Sequence, residues 1–208
     1  MNEFNEILKI INKILRHDIL NHLATASMAL ELYENKKDEK YLKTAFKAVH
    51  RSIDLIKQMK ELEFFVETGH EISSINIREK IDSVISTYQI DYSIDGNCQV
   101  LTDQGISSVI GIIVDNAIKH GKADRIDFRL ITKEKTCEII ISDNGIGIPL
   151  EIKDRIFEAG FGQGVDRGAG LGLFVIKKFI ERYEGEIKVQ DTIPQGTTFI
   201  IILKRAFD

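Results

Sequence analysis

The sequence predicts an α+β protein in which an antiparallel helical hairpin precedes a two-layer α/β sandwich. Residues 1–67 contain neither glycine nor proline and repeat apolar residues at helical spacing. From "ETGHEISS" at 67–74 onward, helical and strand-like segments alternate, with hairpin-like strand pairs among them. Mixed patterns of this kind favour a sandwich over a parallel doubly wound sheet. We therefore expect two domains, 1–67 and 72–208.

The first domain is predicted to be two helices of about 30 residues each. Apolar residues recur three and four apart over 4–30 and again over 42–62, and the polar stretch "ENKKDEK" at 34–40 separates them. A hairpin alone cannot bury two long apolar stripes. We therefore expect a homodimer through the helical hairpin, which would form a four-helix bundle.

The second domain is predicted from eight shorter segments. We expect "SSINI" to form a strand, "REKIDSVISTYQ" a helix, and "DYSIDGNCQVL" two strands around an Asp-Gly turn. "DQGISSVIGIIVDNAIKH" and "AGLGLFVIKKFIERYEG" are predicted helices. "RIDFRLITKEKTCEIIISD" predicts two strands around a lysine-rich turn, and "EIKVQ" and "TTFIIIL" complete the sheet.

Composition excludes some classes of protein. The net charge of -4 and the pI near 5.8 give no electrostatic reason to expect nucleic acid as a partner. The sequence has no apolar run of roughly 18 residues and no signal peptide, so we expect no membrane segment and a cytoplasmic protein. Cys98 and Cys137 are far apart without metal-ligand spacing, and we expect free, partly buried thiols.

Glycine is concentrated in two clusters, with eight of 15 glycines between Gly145 and Gly172. In the first cluster, "SDNGIGIP" at 142–149, an apolar strand ends in Asp143, and glycines then allow a close backbone approach. An acid in that position can accept a hydrogen bond from an exocyclic amine such as that of adenine. A simple Asp-Asn-Gly turn without a ligand explains the cluster equally well.

The second cluster, "DRGAGLGLFVIKK" at 166–178, leads directly into an amphipathic helix. Backbone N–H groups at a helix N-terminus, together with the helix dipole, favour an anion such as phosphate. The cluster is not a Rossmann fingerprint, because no strand precedes it. The preceding "FEAGFGQGVD" is predicted to be a flap that could close over a nucleotide.

A third element, "IIVDNAIKH" at 112–120, places Asn116, Lys119 and His120 on one helix face. An amide oxygen can coordinate Mg²⁺, and a lysine can pair with phosphates. For these three residues alone, a solvated helix face is the simpler interpretation.

Together these elements resemble the N, G1 and G2 boxes of the GHKL ATP-binding fold, which gyrase, MutL-type ATPases and sensor histidine kinases share. The boxes are "DNAIKH", "DNGIGIP" and "GAGLGLFVIKK", in that order and followed by "GTTFIIIL", and the likeness covers roughly 72–205. "IFEAGFG" resembles the F box and ATP lid of histidine kinases in particular.

The resemblance implies a site for ATP with Mg²⁺. Asp143 would hold the adenine amine, Asn116 would ligate Mg²⁺, and Lys119 and His120 would face the phosphates. The other nucleotide-binding residues that the resemblance implies are Gly145, Gly147, Ile148, Phe157, Gly168, Gly170, Leu171, Gly172, Leu173 and Thr197. Hydrolytic members of the family often carry Glu or Asn four residues before the box asparagine to activate water. This sequence has Ile112 there, as suits an enzyme whose acceptor is not water.

The stretch "RHDILNHL" in the first predicted helix resembles the H box of histidine kinases. A neutral imidazole nitrogen of His17 could attack a phosphorus atom while Asp18 accepts the proton on the other ring nitrogen. Asn21, one helical turn later, could orient the ring. His17 lies off the apolar stripe, so we expect it to face solvent. No acid follows His22, which we expect at the helix surface or in an interface.

This layout resembles the catalytic core of a sensor histidine kinase. It implies an autokinase of a two-component system that phosphorylates His17 from ATP and passes the phosphoryl group to an aspartate of a response-regulator receiver domain, under a possible upstream sensor. Two alternatives remain open: a phosphorelay phosphotransferase with a degenerate ATP domain, and a nucleotide-binding dimeric scaffold without kinase activity. An anti-sigma serine kinase shares the ATP fold, but it would not need the hairpin with its H box.

Overall fold

The computed structural model of the chain describes residues 2–67, 71–159, 161 and 170–207, without the side chains of residues 2–15, 58 and 61–67. The chain forms two compact units, one of 1–67 with 158–172 and one of 68–157 with 173–208. Among the described residues, no helix is both long and apolar enough to cross a membrane.

Two long helices form the predicted hairpin, α1 (Asn2–Lys36) and α2 (Glu39–Glu67). The turn between them is shorter than the polar stretch that predicted it, because only Lys37 and Asp38 lie between the helices. Lys37 adopts a left-handed conformation, with φ of 52°, which ends α1. The Asp38 carboxylate accepts a hydrogen bond from the backbone N–H of Lys40 at 3.0 Å and so begins α2.

Small side chains line the contact between the two helices. Ala26, Ala29, Ala45 and Ala48 form one buried cluster, with members three residues apart on each helix. Most of the large apolar side chains described in the hairpin are instead exposed, and Phe46 is 64% exposed, whereas Leu55 is buried. The other exposed large apolar residues of the hairpin are Leu20, Leu23, Met28, Leu30, Leu32, Val49, Ile53 and Ile56.

The second unit contains the sheet and the shorter helices. Its elements are β1 (Ser73–Asn76), α3 (Ile77–Ile85), β2 (Asp91–Asp95), β3 (Gln99–Thr102), α4 (Ile106–Lys119), β4 (Arg125–Thr132), β5 (Thr136–Asp143), a 3₁₀ turn (Leu150–Ile152), α5 (Gly172–Arg182), β6 (Glu186–Asp191) and β7 (Thr197–Lys204). A five-stranded sheet has the order β2-β4-β5-β7-β6, in which only β2 and β4 run parallel. The predicted α+β fold class is confirmed.

The core of this unit lies between helix faces and one face of the sheet. Alternate residues of β5 are buried, from Cys137 to Asp143, as the period of a strand with one buried face requires. The buried residues of the two helices are Ile106, Val109, Ile110, Ile113, Val114 and Ala117 in α4, and Val175, Ile176, Phe179 and Ile180 in α5. Asp143 is therefore the polar end of an otherwise apolar face.

The two strands predicted in "DYSIDGNCQVL" form, but they do not pair with each other as a hairpin would. β2 pairs with β4, and β3 pairs antiparallel with β1 in a separate two-stranded sheet. The Asp-Gly signal specifies a tight bend but not the partner of each strand. Gly96 has φ of 85°, and the backbone oxygen of Leu130 lies where a Cβ would stand. The chain therefore passes closely against β4 at this glycine and does not fold back on itself.

The expectation of free thiols was also wrong, because Cys98 and Cys137 form a disulfide with a Cα–Cα separation of 6.3 Å. Both cysteines are buried. Cys98 lies just before β3 and Cys137 lies in β5, so the bond joins the small sheet to the large one. No spacing rule could have indicated this pair, because it is the tertiary fold that brings the two segments together.

Reduction of this disulfide should destabilise the second unit. The bond links residues 39 positions apart, and releasing such a loop restores entropy to the unfolded chain worth about 2–4 kcal/mol. We expect the midpoint of guanidinium unfolding, followed by circular dichroism, to fall when a phosphine reductant is added. The double variant Cys98→Ser/Cys137→Ser should be insensitive to reductant. Identical wild-type unfolding with and without reductant would contradict the bond.

Candidate functional site

His17 lies on the surface of α1 with two polar neighbours at its ring. Its side chain is 73% exposed, and Nδ1 lies 3.2 Å from Oδ1 of Asp18. The Asn21 amide nitrogen lies 3.1 Å from Nδ1 and 3.5 Å from Nε2. If Nδ1–H donates to Asp18, Nε2 carries the unshared electron pair, and the Asn21 amide lies 3.5 Å from it. The arrangement can therefore present a neutral, oriented imidazole to an electrophile.

The second histidine of this stretch has a different environment. His22 is half-buried, and its Nδ1 has no hydrogen-bond partner among the described residues. It lacks the acid and amide contacts that His17 has.

Asp143 ends β5 as a buried carboxylate held by backbone donors. Its Oδ1 accepts hydrogen bonds from the backbone N–H groups of Gly145 at 2.8 Å and Thr197 at 3.2 Å. Burial raises the pKa of the Asp143 carboxyl, and the two backbone donors partly offset that rise. Both recorded bonds use Oδ1, so among the described residues Oδ2 is left to accept from another donor.

The loop after α4 docks against the loop after β5 through backbone atoms. The carbonyl oxygen of Gly121 accepts a hydrogen bond from the N–H of Ile146 at 2.7 Å. That oxygen lies where a Cβ on Gly145 would stand, so residue 145 must be glycine for the loops to approach so closely. Asn144 strengthens the contact, because its Oδ1 accepts from the N–H groups of Asp124 and Arg125 at 3.2 and 3.1 Å.

A second close approach involves the turn before β7. Gly147 has φ of 78°, and a Cβ there would lie 3.2 Å from the carbonyl oxygen of Gly196. Gly196 itself has φ of 129°, and the carbonyl oxygen of Asp143 stands where its Cβ would be. Thr197 follows it and is buried. These contacts bring Asp143, Gly145, Gly147 and Thr197 together, as the adenine pocket implied by the resemblance requires.

The last turn of α4 carries the polar face predicted for the N box. The side chain of Asn116 is half-buried, and its backbone oxygen accepts from the N–H groups of His120 and Gly121 at 3.0 and 2.9 Å. Lys119 and His120 are exposed, and the Lys119 amine pairs with Asp115 at 2.7 Å. A phosphate would therefore compete with Asp115 for the Lys119 amine.

The glycine-rich cluster before α5 is described only in part. Gly168, like residues 162–167 of the predicted flap, lies outside the described residues. Gly170 has φ of 62° with the backbone of Phe161 where its Cβ would stand, and Leu171 is buried. Gly172 is the first residue of α5, where backbone N–H groups are free for an anion, and Leu173 follows.

Ile148 and Phe157 lie in the stretch between β5 and the glycine-rich cluster, and both are half-buried. Three residues that shape the site were not singled out from the sequence: Gly121, Asn144 and Gly196. Gly121 follows a helix end and Gly196 lies two residues after a proline in a turn, and these positions were the available signals. The contacts that make the glycines necessary are between segments far apart in sequence.

Replacing Gly121 with alanine should disrupt the loop contact. A Cβ at this position would lie 2.6 Å from the carbonyl oxygen of Ala117, so the loop must shift. We expect the free energy of unfolding to fall by about 1–3 kcal/mol. Gly111→Ala, within the preceding helix α4, is the matched control, since a Cβ at residue 111 would meet nothing nearer than 3.8 Å. That control should stabilise the protein by about 0.5–1 kcal/mol; equal effects in chemical denaturation would contradict the argument.

Comparison with known proteins places this site in a family. A family model described as "Histidine kinase-, DNA gyrase B-, and HSP90-like ATPase" matches residues 102–206, just over half of the chain. The signal transduction histidine-protein kinase ArlS of Staphylococcus aureus is 29% identical over an alignment that covers 97% of this chain and 52% of ArlS. The chain thus spans about half the length of the curated relatives that it matches.

Solved structures agree with the sequence relatives. The mycobacterial sensor histidine kinase MprB is 26% identical, with a TM-score of 0.57 over 64% of this chain and 97% of the MprB chain. The histidine kinase ThkA was solved in complex with the response regulator TrrA. Its superposition covers 99% of this chain and 64% of the ThkA chain, with a TM-score of 0.72. At 19% identity, the ThkA likeness shows the fold alone.

The residues of the matched range include the N box, the G1 box and Thr197. The resemblance to the catalytic core of a sensor histidine kinase is confirmed, and the chain belongs to the family of histidine kinase-, DNA gyrase B- and HSP90-like ATPases.

Proposed function

We propose that this chain is the catalytic core of a two-component histidine autokinase. It takes the γ-phosphoryl group of ATP onto His17 and passes it to an aspartate of a response regulator. The observation that supports this most directly is the exposed His17 ring with Asp18 and Asn21 at its nitrogens, in a chain of this ATPase family. A nucleotide-binding protein that never phosphorylates itself has no need of this arrangement.

We assign the two functions of the core to two domains. Residues 1–67 would serve dimerisation and histidine phosphotransfer, because they carry His17 and the exposed apolar surface of the hairpin. Residues 72–208 would bind the nucleotide, because they carry the matched family range. Asp143, Asn116 and the glycine-rich cluster would then have the roles that the resemblance implies.

Asp143 would accept a hydrogen bond from the adenine amine. Its Oδ1 is occupied by the backbone donors of Gly145 and Thr197, which orient the carboxylate and leave Oδ2 for a ligand. Gly145 and Gly147 would let the base approach the backbone. Ile148 and Phe157 would contribute apolar surface, and Lys119, His120 and the N–H groups near Gly172 would face the phosphates.

Mg²⁺ would accompany the nucleotide. Among the described residues, no group of three or more His, Cys, Asp or Glu side chains could hold a metal ion by itself. Asn116 offers one amide oxygen, which fits a Mg²⁺ ion that is held mainly by phosphates and water. Bound there, Mg²⁺ would neutralise phosphate charge.

The phosphoryl transfer follows from the geometry at His17. With Nδ1–H donating to Asp18, Nε2 attacks the γ-phosphorus in line with the bond to the bridging oxygen. The new N–P bond forms as that P–O bond breaks, and ADP leaves with the bridging oxygen. The ring gains positive charge during the attack, and the Asp18 carboxylate at 3.2 Å stabilises it. Asn21 holds the ring and later faces the acceptor.

The partners that we propose are a second copy of this chain and a response-regulator receiver domain. Most of the large apolar side chains described in the hairpin are exposed in the single chain, and a four-helix bundle would cover them. ThkA was solved in complex with a response regulator, which supports the second partner. Both ATP and receiver domains point to the cytoplasm as the site of action. A sensor that controls the activity would be upstream.

The decisive experiment is incubation with γ-labelled ATP and Mg²⁺, followed by tests for acid-labile, base-stable label. We expect wild-type protein to be labelled and His17→Gln to lose all label, because His17 alone among the histidines that the structure describes has the acid and amide contacts. His22→Gln is the matched control and should keep most of the label. Asp143→Asn should reduce both labelling and nucleotide binding.

Each negative result would select a different alternative. Nucleotide binding without any label on His17 would favour a dimeric scaffold. Absence of nucleotide binding, with His17 still accepting phosphate from a phosphorylated regulator, would favour a phosphorelay phosphotransferase.

A charge on the exposed surface of the hairpin should separate the proposed dimer. Phe46 is 64% exposed in the single chain, and a glutamate there would place charge inside a four-helix bundle. We expect Phe46→Glu to sediment as a monomer where wild type sediments as a dimer. Ile193→Glu is the control. Ile193 is 93% exposed in the second unit, so this substitution should not change the mass of the sedimenting species. A monomeric wild type would exclude dimerisation through the hairpin.

A further inference from the structure

A buried carboxylate outside the proposed nucleotide contacts joins the two helices that carry the N and G2 boxes. Asp103 lies between β3 and α4 and is 2% exposed. Its Oδ1 accepts hydrogen bonds from the Gly105 N–H at 2.8 Å and the Tyr183 hydroxyl at 2.5 Å. Its Oδ2 pairs with the Arg182 guanidinium at 3.0 Å. Oδ1 is therefore hydrogen-bonded by two donors, whereas Oδ2 has the ion-pair contact with Arg182 without hydrogen-bond geometry among the described residues.

Close packing accompanies these polar contacts. The ring of Phe179 in α5 lies where a Cβ on Gly105 would stand, so this ring packs directly against the backbone that precedes α4. The rings of Phe179 and Tyr183 have centroids 6.2 Å apart. We refer to Asp103, Gly105, Phe179, Arg182 and Tyr183 as the Asp103 cluster.

The charges of the cluster match the two helix dipoles. Gly105 precedes α4 and has no side chain to cap it, so Asp103 supplies both the acceptor and the negative charge at this N-terminus. Arg182 places its positive charge in the last turn of α5. Burial and the hydrogen bond to Asp103 raise the pKa of the Tyr183 hydroxyl, which keeps it a proton donor.

We propose that Asp103 is a positioning residue for nucleotide binding. This inference rests on the proposed function. The helix α4 carries Asn116 in its last turn and the Gly121 carbonyl just beyond, whereas α5 begins at the glycine-rich cluster. By joining the N-terminus of α4 to the C-terminus of α5, the Asp103 cluster fixes how the two helices present these groups. Asp103 would thus act through Asn116 and Gly121 and not by contact with the nucleotide.

The test is the affinity of the full chain for Mg·ADP, measured by calorimetry at a temperature where each variant is folded. Asp103→Asn keeps the size of the side chain but loses the charge that pairs with Arg182, and we expect a dissociation constant raised roughly tenfold. Tyr183→Phe removes one donor without changing shape and should give a smaller rise. It also serves as the second variant if Asp103→Asn does not fold.

The matched control is Glu181→Gln, which also converts a carboxylate to an amide and lies next to Arg182 in the last turn of α5. Glu181 is exposed and pairs only with Lys178 among its recorded contacts, at 2.6 Å. We expect wild-type affinity from this control. Unchanged affinity in both Asp103→Asn and Tyr183→Phe, with only a lower melting temperature, would overturn the positioning role. Absence of binding in the wild type would overturn the proposed function, and this inference with it.

Discussion

The nucleotide side of this protein depends on one close approach between two backbone loops. The Gly121 carbonyl lies against Gly145 and accepts a hydrogen bond from Ile146. This contact connects the end of the helix that bears Asn116 to the end of the strand that bears Asp143. Any side chain at residue 145 would separate the loops, because backbone atoms cannot move aside as a flexible side chain can. The proposed metal ligand and the proposed adenine contact are thus held by the same pair of peptide groups.

In an ordinary core the large apolar side chains are buried, whereas the contact between the two helices of this hairpin is lined mainly by alanines. Alanines lie inside the helix pair, where they allow close approach but bury little apolar area, and most of the larger apolar side chains remain outside, although Leu55 is buried. A hairpin built this way gains limited stability from its own contact. The same helix α1 carries the proposed phosphorylation site, His17, on its surface. Dimerisation through the exposed apolar side chains would add stability. The interface need not bury His17, because His17 lies off the apolar stripe and its side chain is 73% exposed in the single chain.

Local signals in the sequence predicted the elements well where the deciding contacts are close in the chain. The hairpin of β4 and β5, the helices and the position of Asp143 at a strand end follow from periodicity and turn residues. The partner of β2 and the bond between Cys98 and Cys137 could not be predicted in this way. Strand pairing and disulfide formation depend on which segments the whole core brings together, and a turn signal such as Asp-Gly carries no information about that.

The sequence by itself determined the chemistry that this protein can offer, because residue types at fixed spacing on a helix or at a strand end are local properties. His17, Asp18 and Asn21 meet on one helix face by helical geometry alone. Only the tertiary structure decided which backbone groups approach Gly145 and Gly196, and that Asp103 joins α4 to α5. Those contacts join residues tens of positions apart, and they form only when the sheet and both helices have packed into one core.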